Sequence, residues 1–414
     1  MGQYVDFDLS IWAEGDGYVA KVTDSPCGQS ERVRVTKPFP DISREELLLR
    51  LENAVLKGQG LHRGSPEEKV LREFGAEVFK IVFKAPAIER QFISSLNKVK
   101  EQQGEVEGLR LKLRVEPPEL ALLPWEYVYD DFTKTYLCLR NKSPLVRFLE
   151  IPEPTPPLLV KGPLNILGMI SNPGGGWPQL DVERERAKID KAMASLKDKR
   201  VNFKWVQGDT YEHLLEMMQK DSWHVFHFIG HGGTGEFLDP DSPESGEPQS
   251  DGFIVLSDGS GGAVRVPALE LGLALQGDGS LRLAVLNCCE SGRSSGHSAF
   301  SSAGAALVQQ GVPVVVAMQF PITDDAAIQF TSGFYGSLVT GAPVERAITT
   351  ARVAMRYSSN VEWGIPVLFT RAKTSTLFTV ERPNVGAAEV ETVMNAPERT
   401  TRTSAQEELR RLFQ

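Results

Sequence analysis

The residues best suited to covalent chemistry are a histidine and a cysteine, each closing an apolar run of strand length. The runs are Trp223-His224-Val225-Phe226-His227-Phe228-Ile229-Gly230-His231-Gly232 and Leu283-Ala284-Val285-Leu286-Asn287-Cys288-Cys289-Glu290-Ser291-Gly292. A strand buried on both faces reads as a near-continuous hydrophobic run. His231 and Cys289 are therefore expected at the carboxyl ends of two such strands, where open α/β sheets hold their sites. A thiol attacks as thiolate and needs a base or cation beside it, and imidazole serves near neutral pH. The expected machinery is a Cys/His dyad.

The bland reading of a cysteine after a hydrophobic strand is a small buried side chain. It suits Cys288 better than Cys289, because alternation sends the two side chains to opposite sides and the Glu-Ser-Gly that follows Cys289 marks the strand's exit from the core. His224 and His227 are assigned to support of the sheet. Metal ligation by the three histidines is disfavoured: spacings of three and four suit a helical face, whereas this run is rich in Val, Phe and Ile. Neither metal nor cofactor is expected. The Gly230-His231-Gly232-Gly233 segment reads as a turn whose backbone N–H groups could face an oxyanion, with the amides of Gly232 and Cys289 as candidates.

These two strands need a scaffold. Val5, Phe7, Leu9 and Ile11 alternate as a strand, and Glu14-Gly15-Asp16-Gly17 turns into a second at Tyr18 to Val22. Two helices follow, started by Ser43 with Glu46 and by Ser65 with Glu68 and Pro66. Strands are expected at Leu109 to Val115, Tyr136 to Arg140 and Pro144 to Leu149. The proline-rich stretch from Ile151 to Pro157 reads as a stiff linker. This gives an amino-terminal α+β domain over 1–156, a second domain over 157–372, and a polar tail over 373–414 that ends in a charged helix-like segment, Ser404 to Phe413. From Leu164 onward, strands and helices alternate. Such alternation specifies an α/β fold, a mainly parallel sheet with helices on both faces, preceded here by the smaller α+β domain. Asp239 to Gly252, rich in Pro, Ser, Glu, Asp and Gly, is expected as a mobile loop after the His231 turn.

Composition narrows the function. A chain of 414 residues with 41% hydrophobic content can bury two domains. A net charge of -9 argues against direct binding of nucleic acid or of an anionic membrane. No apolar stretch approaches the roughly 20 residues that span a bilayer, and no signal-peptide pattern opens the chain, so a cytoplasmic protein is expected. The four cysteines, Cys27, Cys138, Cys288 and Cys289, match neither a zinc pattern nor a disulfide framework.

The motifs also resemble a family, the CHAT domains, caspase-like cysteine peptidases related to caspases, separase and gingipains. His231-Gly232 is similar to its histidine motif. Leu286 to Gly292 is similar to its Asn-Ala-Cys-x-Ser-Gly motif, with Cys288 where alanine is common and Cys289 at the nucleophile. Leu123-Pro124-Trp125-Glu126 resembles its Leu-Pro-Trp-Glu segment, and Gly311 to Gln319, Phe334-Tyr335, Ala351-Arg352 and Trp363 to Leu368 also fit. The resemblance implies a caspase-like fold and a cysteine endopeptidase acting on a protein substrate. It also implies latency until a protein partner activates the enzyme, and a place in bacterial (including antiviral) defence or cell-death signalling. The amino-terminal domain would then be a regulatory or pseudo-caspase half. In this fold the loops Ser171-Asn172-Pro173 and Gln319 to Asp324 would border the substrate pocket. Asn172, Asp324 and Asp325 are candidates there, the aspartates for pairing with a basic residue, although Asp324 also suits a helix N-cap. Rival readings are an interaction scaffold that leaves Cys289 unused, and small-molecule hydrolase or transferase chemistry.

Overall fold

The computed structural model describes residues 3–60, 64–102, 104–152, 155–194, 196, 201–237, 249–288, 299–358, 361–374 and 376–380. The chain opens with the expected hairpin. β1 (Val5–Glu14) and β2 (Gly17–Asp24) pair antiparallel around a turn in which Gly15 takes φ +60°, and β3 (Val33–Val35) adds to β2. Helices α1 (Arg44–Gly58) and α2 (Pro66–Val82) begin at the expected caps, Ser43 accepting the amide of Glu46 and Ser65 that of Glu68. A third helix, α3 (Pro86–Glu101), follows where none was expected; Pro86 sits in its first turn, and Ile88, Phe92 and Val99 are buried at helical spacing. β4 (Leu109–Val115) leads to the one-turn α4 (Pro118–Ala121), the 3-10 turn Trp125–Tyr127, the ribbon β5 (Tyr129–Asp130) with β6 (Thr135–Tyr136), and β7 (Leu145–Phe148). Most of the strand expected over Tyr136 to Arg140 is instead a 3-10 turn, Leu137–Leu139. Leu137 and Cys138 are buried in succession there, which a half-buried strand would not allow.

After β8 (Leu158–Val160) strands and helices alternate: β9 (Leu164–Ile170), α5 (Val182–Ala194), β10 (Val201–Trp205), α6 (Tyr211–Lys220), β11 (Val225–Phe237), β12 (Gln249–Ser257), β13 (Ala263–Pro267), α7 (Ala268–Gln276), β14 (Leu283–Cys288), α8 (Ala299–Gln309), β15 (Val314–Met318), α9 (Asp324–Leu338), α10 (Val344–Ser358), β16 (Pro366–Thr370) and β17 (Phe378–Val380), as expected except for β13 and β17, which the sequence reading lacks. The strand order of the main sheet is β10-β9-β11-β14-β15-β16-β7-β4-β1-β2-β3. Pairing is parallel from β10 to β15 and from β16 to β1; β16 runs antiparallel to β15. The strands of the smaller α+β region thus continue the same sheet, and residues 1–380 form one compact unit.

Alternation divides the apolar side chains between two cores. Ile166, Val225, Leu283, Val285, Val314 and Val316 pack with α1, α2, α3, α5, α9 and α10. Leu167, Phe226, Phe228, Ala284, Leu286 and Val315 pack with α6, α7 and α8 on the opposite face. The fold is α/β, a mostly parallel sheet covered by helices on both faces.

Three expectations need correction. The Gly230-His231-Gly232-Gly233 segment is strand, not turn: β11 pairs with β14 as far as Gly230, then with β12 from His231 onward. Glycine marks places where a strand bends or another backbone approaches closely, and here it marks an exchange of partners. Gln249 to Gly252, expected in a loop, belong to β12; residues 239–248 of that loop lie outside the described residues. Phe378 to Val380, placed in the tail, form a parallel pair with β8. The helix expected at Ser404 to Phe413 lies outside the described residues.

Candidate functional site

In the strand order the connection from β9 runs outward to β10, whereas that from β11 runs the opposite way to β14, so the direction reverses between β9 and β11. A parallel sheet opens a crevice at such a switch point, beyond the carboxyl ends of its strands. His231 stands in that crevice, on β11 beside the loop that leaves β9. Loop and strand are tied directly, the Ser171 amide donating to the Ile229 carbonyl at 2.8 Å. Gly230 permits this approach. A Cβ there would lie 2.6 Å from the Phe228 ring and 3.3 Å from the Ser171 carbonyl oxygen.

The loop then reaches over the histidine. Trp177 stacks on the His231 ring, with centroids 5.5 Å apart and planes 25° from parallel, and meets Phe253 of β12 edge-on. The Pro178 carbonyl oxygen lies 2.7 Å from His231 Nε2. A carbonyl only accepts, so Nε2 carries a proton and donates to it. His231 is 1% exposed. The Trp177 stack and the Pro178 carbonyl together fix the ring's tilt.

Asn172, expected at the pocket, braces this loop. Its Oδ1 accepts the Leu180 amide at 2.8 Å, its Nδ2 donates to Gln179 Oε1 at 3.3 Å, and its own amide donates to Asp209 Oδ2 at 3.2 Å. Asp324 faces α5, where Lys188 and Arg184 both pair with its carboxylate. Burial pulls the Lys188 ammonium down, but its bonds to Asp324 and Glu185 outweigh that and hold it above the usual lysine range. The cap of α9 is Thr323, not Asp324; its Oγ1 accepts the Ala326 amide, which puts Asp324 and exposed Asp325 in the acidic first turn. Gly232 lies opposite Ile254 in the β11–β12 ladder.

Cys289 lies outside the described residues, as do residues 290–298. The approach to it is described. The parallel register pairs Phe228 with Leu286, Ile229 with Asn287 and Gly230 with Cys288, so the last paired residues immediately precede His231 and Cys289. Asn287 is buried, and its Oδ1 has no hydrogen-bond partner among the described residues.

The other histidines of β11 turn to separate partners. His224 Nδ1 accepts the Asn165 amide, and His227 Nδ1 meets the Tyr335 hydroxyl at 2.8 Å. Burial lowers both, His227 to about 4.

Sequence reasoning missed Pro178 and Trp177. The Gly174-Gly175-Gly176-Trp177-Pro178 segment was legible as a loop, but a backbone carbonyl leaves no signature in residue type. It also missed Glu126 and Glu362 as functional candidates. Both are buried carboxylates whose bonds reach the Gln319–Thr323 loop: Gln319 Nε2 donates to Glu126 Oε2 at 3.1 Å, and the Thr323 amide donates to Glu362 Oε1 at 2.6 Å. Glu126 belongs to a segment already singled out by its motif.

A mostly parallel sheet covered by helices on both faces, with His231 on β11 beside the loop that leaves β9, defines the class. The CHAT domain family model matches residues 72–401, and the chain belongs to that family of caspase-like peptidases. Among solved structures, the chain is similar to the Arg-specific cysteine proteinase gingipain R, with a TM-score of 0.40 and 10% identity, covering 71% of this chain and 69% of that one. No curated protein matches its sequence significantly. Among the described residues, no helix is long and apolar enough to cross a membrane.

Proposed function

We propose that the chain is a cysteine endopeptidase in which Cys289 attacks and His231 moves the proton. The observation that carries this reading is the β11–β14 register, whose last pair, Gly230 with Cys288, immediately precedes both residues. Val225, His227 and Ile229 share the parity of His231 along β11, and Val285 and Asn287 share that of Cys289 along β14. Val225, Ile229 and Val285 pack into the same core. Alternation carried one residue further would turn both reactive groups to one face.

With Nε2–H held by Pro178, Nδ1 of the neutral ring accepts the thiol proton. The thiolate then attacks the scissile carbonyl carbon, forming a C–S bond. Collapse of the tetrahedral adduct breaks the C–N bond as the imidazolium returns its proton to the departing amine. Water hydrolyses the thioester, with the same ring accepting its proton. The Gly232 and Cys289 amides are the proposed oxyanion donors. Asn172, Asp324 and Asp325 border the proposed pocket, Asn172 by shaping its wall. Activation by a protein partner and a role in bacterial defence rest on the family resemblance alone.

The test is incubation of the purified protein, wild type against Cys289→Ala, with the proteins encoded beside it, read by mass spectrometry. Cleavage that requires Cys289 is the expected result, and it yields the substrate and cut site together. Cleavage by the alanine variant as well would remove the peptidase reading.

A further inference from the structure

The loop Gln319–Thr323 leaves β15 beside the proposed pocket, and among the described residues its side-chain hydrogen bonds come from outside the β9–β15 strands. At its start, Gln319 Nε2 donates to Glu126 Oε2 at 3.1 Å and to the Gly364 carbonyl at 2.7 Å. Glu126 is itself clamped by Arg147 through two bonds, at 3.1 and 2.8 Å. In the middle, Gln59 Nε2, at the end of α1, donates to the Pro321 carbonyl at 2.7 Å. At its end, Glu362 takes both the Thr323 amide, at 2.6 Å, and the Thr323 hydroxyl, at 3.0 Å. The same hydroxyl caps α9, so Glu362 fixes the helix start together with the loop.

The turn that bears Glu362 is docked in turn on the amino-terminal half. The Tyr127 hydroxyl donates to the Val361 carbonyl at 2.7 Å, and Tyr127 meets the Trp363 ring edge-on at 5.2 Å. A Cβ at Gly364 would lie 2.4 Å from the Tyr127 ring. Glu126 and Glu362 are both fully enclosed. A buried carboxylate persists where its bonds are satisfied, and the bonds these two make include the two ends of one loop.

We infer that Gln59, Glu126 and Glu362 are positioning residues for the Gln319–Thr323 loop, so that the amino-terminal half sets the substrate pocket of the Cys/His half. The inference rests on the peptidase reading for the loop's role. It assigns a physical route to regulation: a protein that shifts the end of α1 or the Trp125–Tyr127 turn moves the pocket wall and leaves His231 on its Pro178 carbonyl.

The experiment compares two thiol reagents on the full chain. Iodoacetamide reads Cys289 with no demand on the pocket, whereas a mixture of dipeptidyl acyloxymethyl ketones needs it. Glu362→Ala and Gln59→Ala are expected to lower peptidyl labelling relative to iodoacetamide labelling, Glu362→Ala by roughly 10- to 100-fold, the scale of a small misplacement at a reacting centre. Glu362→Gln, which keeps an acceptor for the Thr323 amide, recovers most of the loss. An unchanged ratio, or an equal fall with both reagents, overturns the inference. Wild type that gives no Cys289-dependent peptidyl labelling fails the peptidase reading instead. The positioning claim is then decided by amide hydrogen exchange over residues 320–326: faster exchange in Glu362→Ala and Gln59→Ala upholds it, and unchanged protection overturns it.

Discussion

The two halves of the sheet handle charge in opposite ways. In β14 and β15 the described side chains from Leu283 to Leu286 and from Val314 to Met318 are apolar and buried, and in β11 the one polar side chain between Val225 and Gly230 is His227. In β1 and β4, by contrast, alternate positions are charged and interlocked. Arg110 bonds Asp6 at 2.7 and 3.0 Å, Glu345 at 2.8 Å and the Lys373 carbonyl at 2.7 Å, while Lys112 bonds Asp6 and Asp8. The difference teaches where each half can act. Apolar strands leave their chemistry to the place where the apolar run stops, and in β11 that is His231, where the strand passes from β14 to β12. The charges of β1 and β4 are spent on one another, on α10 and on the Lys373 carbonyl, as structural fastening.

That contrast makes the largest expected effect a catalytic one. His231→Ala should lower Cys289-dependent cleavage by about 100- to 10,000-fold, the worth of a positioned acid or base, with the unfolding midpoint changed far less. Loss of fold in that variant would break the comparison, because it would make the strand end a structural element. The converse substitution is Arg110→Met. It strands Glu345, which is buried and bonded to Arg110, and removal of one member of a buried ion pair costs about 3–5 kcal/mol. Denaturant unfolding should show that loss, while Cys289 in the protein that remains folded should react with iodoacetamide at the wild-type rate.

The same contrast explains what could be read from the chain alone. Runs such as Val225-Phe226 and Val314-Val315-Val316 announce buried strands because burial on both faces leaves no other composition possible. Ser43 and Ser65 announce helix starts through a bond that residue type alone dictates. The His231 motif was legible for the same reason, as a polar residue at the end of an apolar run. The glycines around it misled: they read as a turn, but they let one strand change partners from β14 to β12. Pro178 was illegible because its carbonyl does the work, and the common sheet was illegible because the parallel pairing of β16 with β7 joins segments more than 200 residues apart. Long-range pairing leaves no local periodicity.

His227 tests how dry the site half is. Burial lowers it to about 4 from an ordinary 6.5. A base with a depressed folded pKa contributes stability that is complete above its unfolded pKa and is lost as pH falls toward the folded one. A shift of that size corresponds to roughly 3 kcal/mol. Stability should therefore decline between about pH 6.5 and 4, and His227→Gln should flatten that decline when the two proteins are unfolded by urea at a series of pH values. An equal slope in both would place water beside the imidazole and remove the contrast with the charged half.

The smallest expected effect concerns Asp324, at the start of α9 in the site half. If its carboxylate served to receive a basic substrate side chain, Asp324→Asn would abolish preference for Lys or Arg before the cut. Its surroundings favour a different role. Lys188, 9% exposed at its side chain, and Arg184 both pair with a carboxylate whose own side chain is 36% exposed. These are cations of α5, the helix that follows the Trp177 loop, so the pair links the two loops that border the pocket. A partly exposed pair contributes about 0.2–1 kcal/mol, and that is the loss expected from Asp324→Asn in thermal unfolding. Cleavage preference in a peptide library should stay as in wild type. If the preference for basic residues is lost instead, the carboxylate trades its α5 partners for substrate, and the pocket is built on an exchange of ion pairs, with Lys188 and Arg184 released as substrate binds.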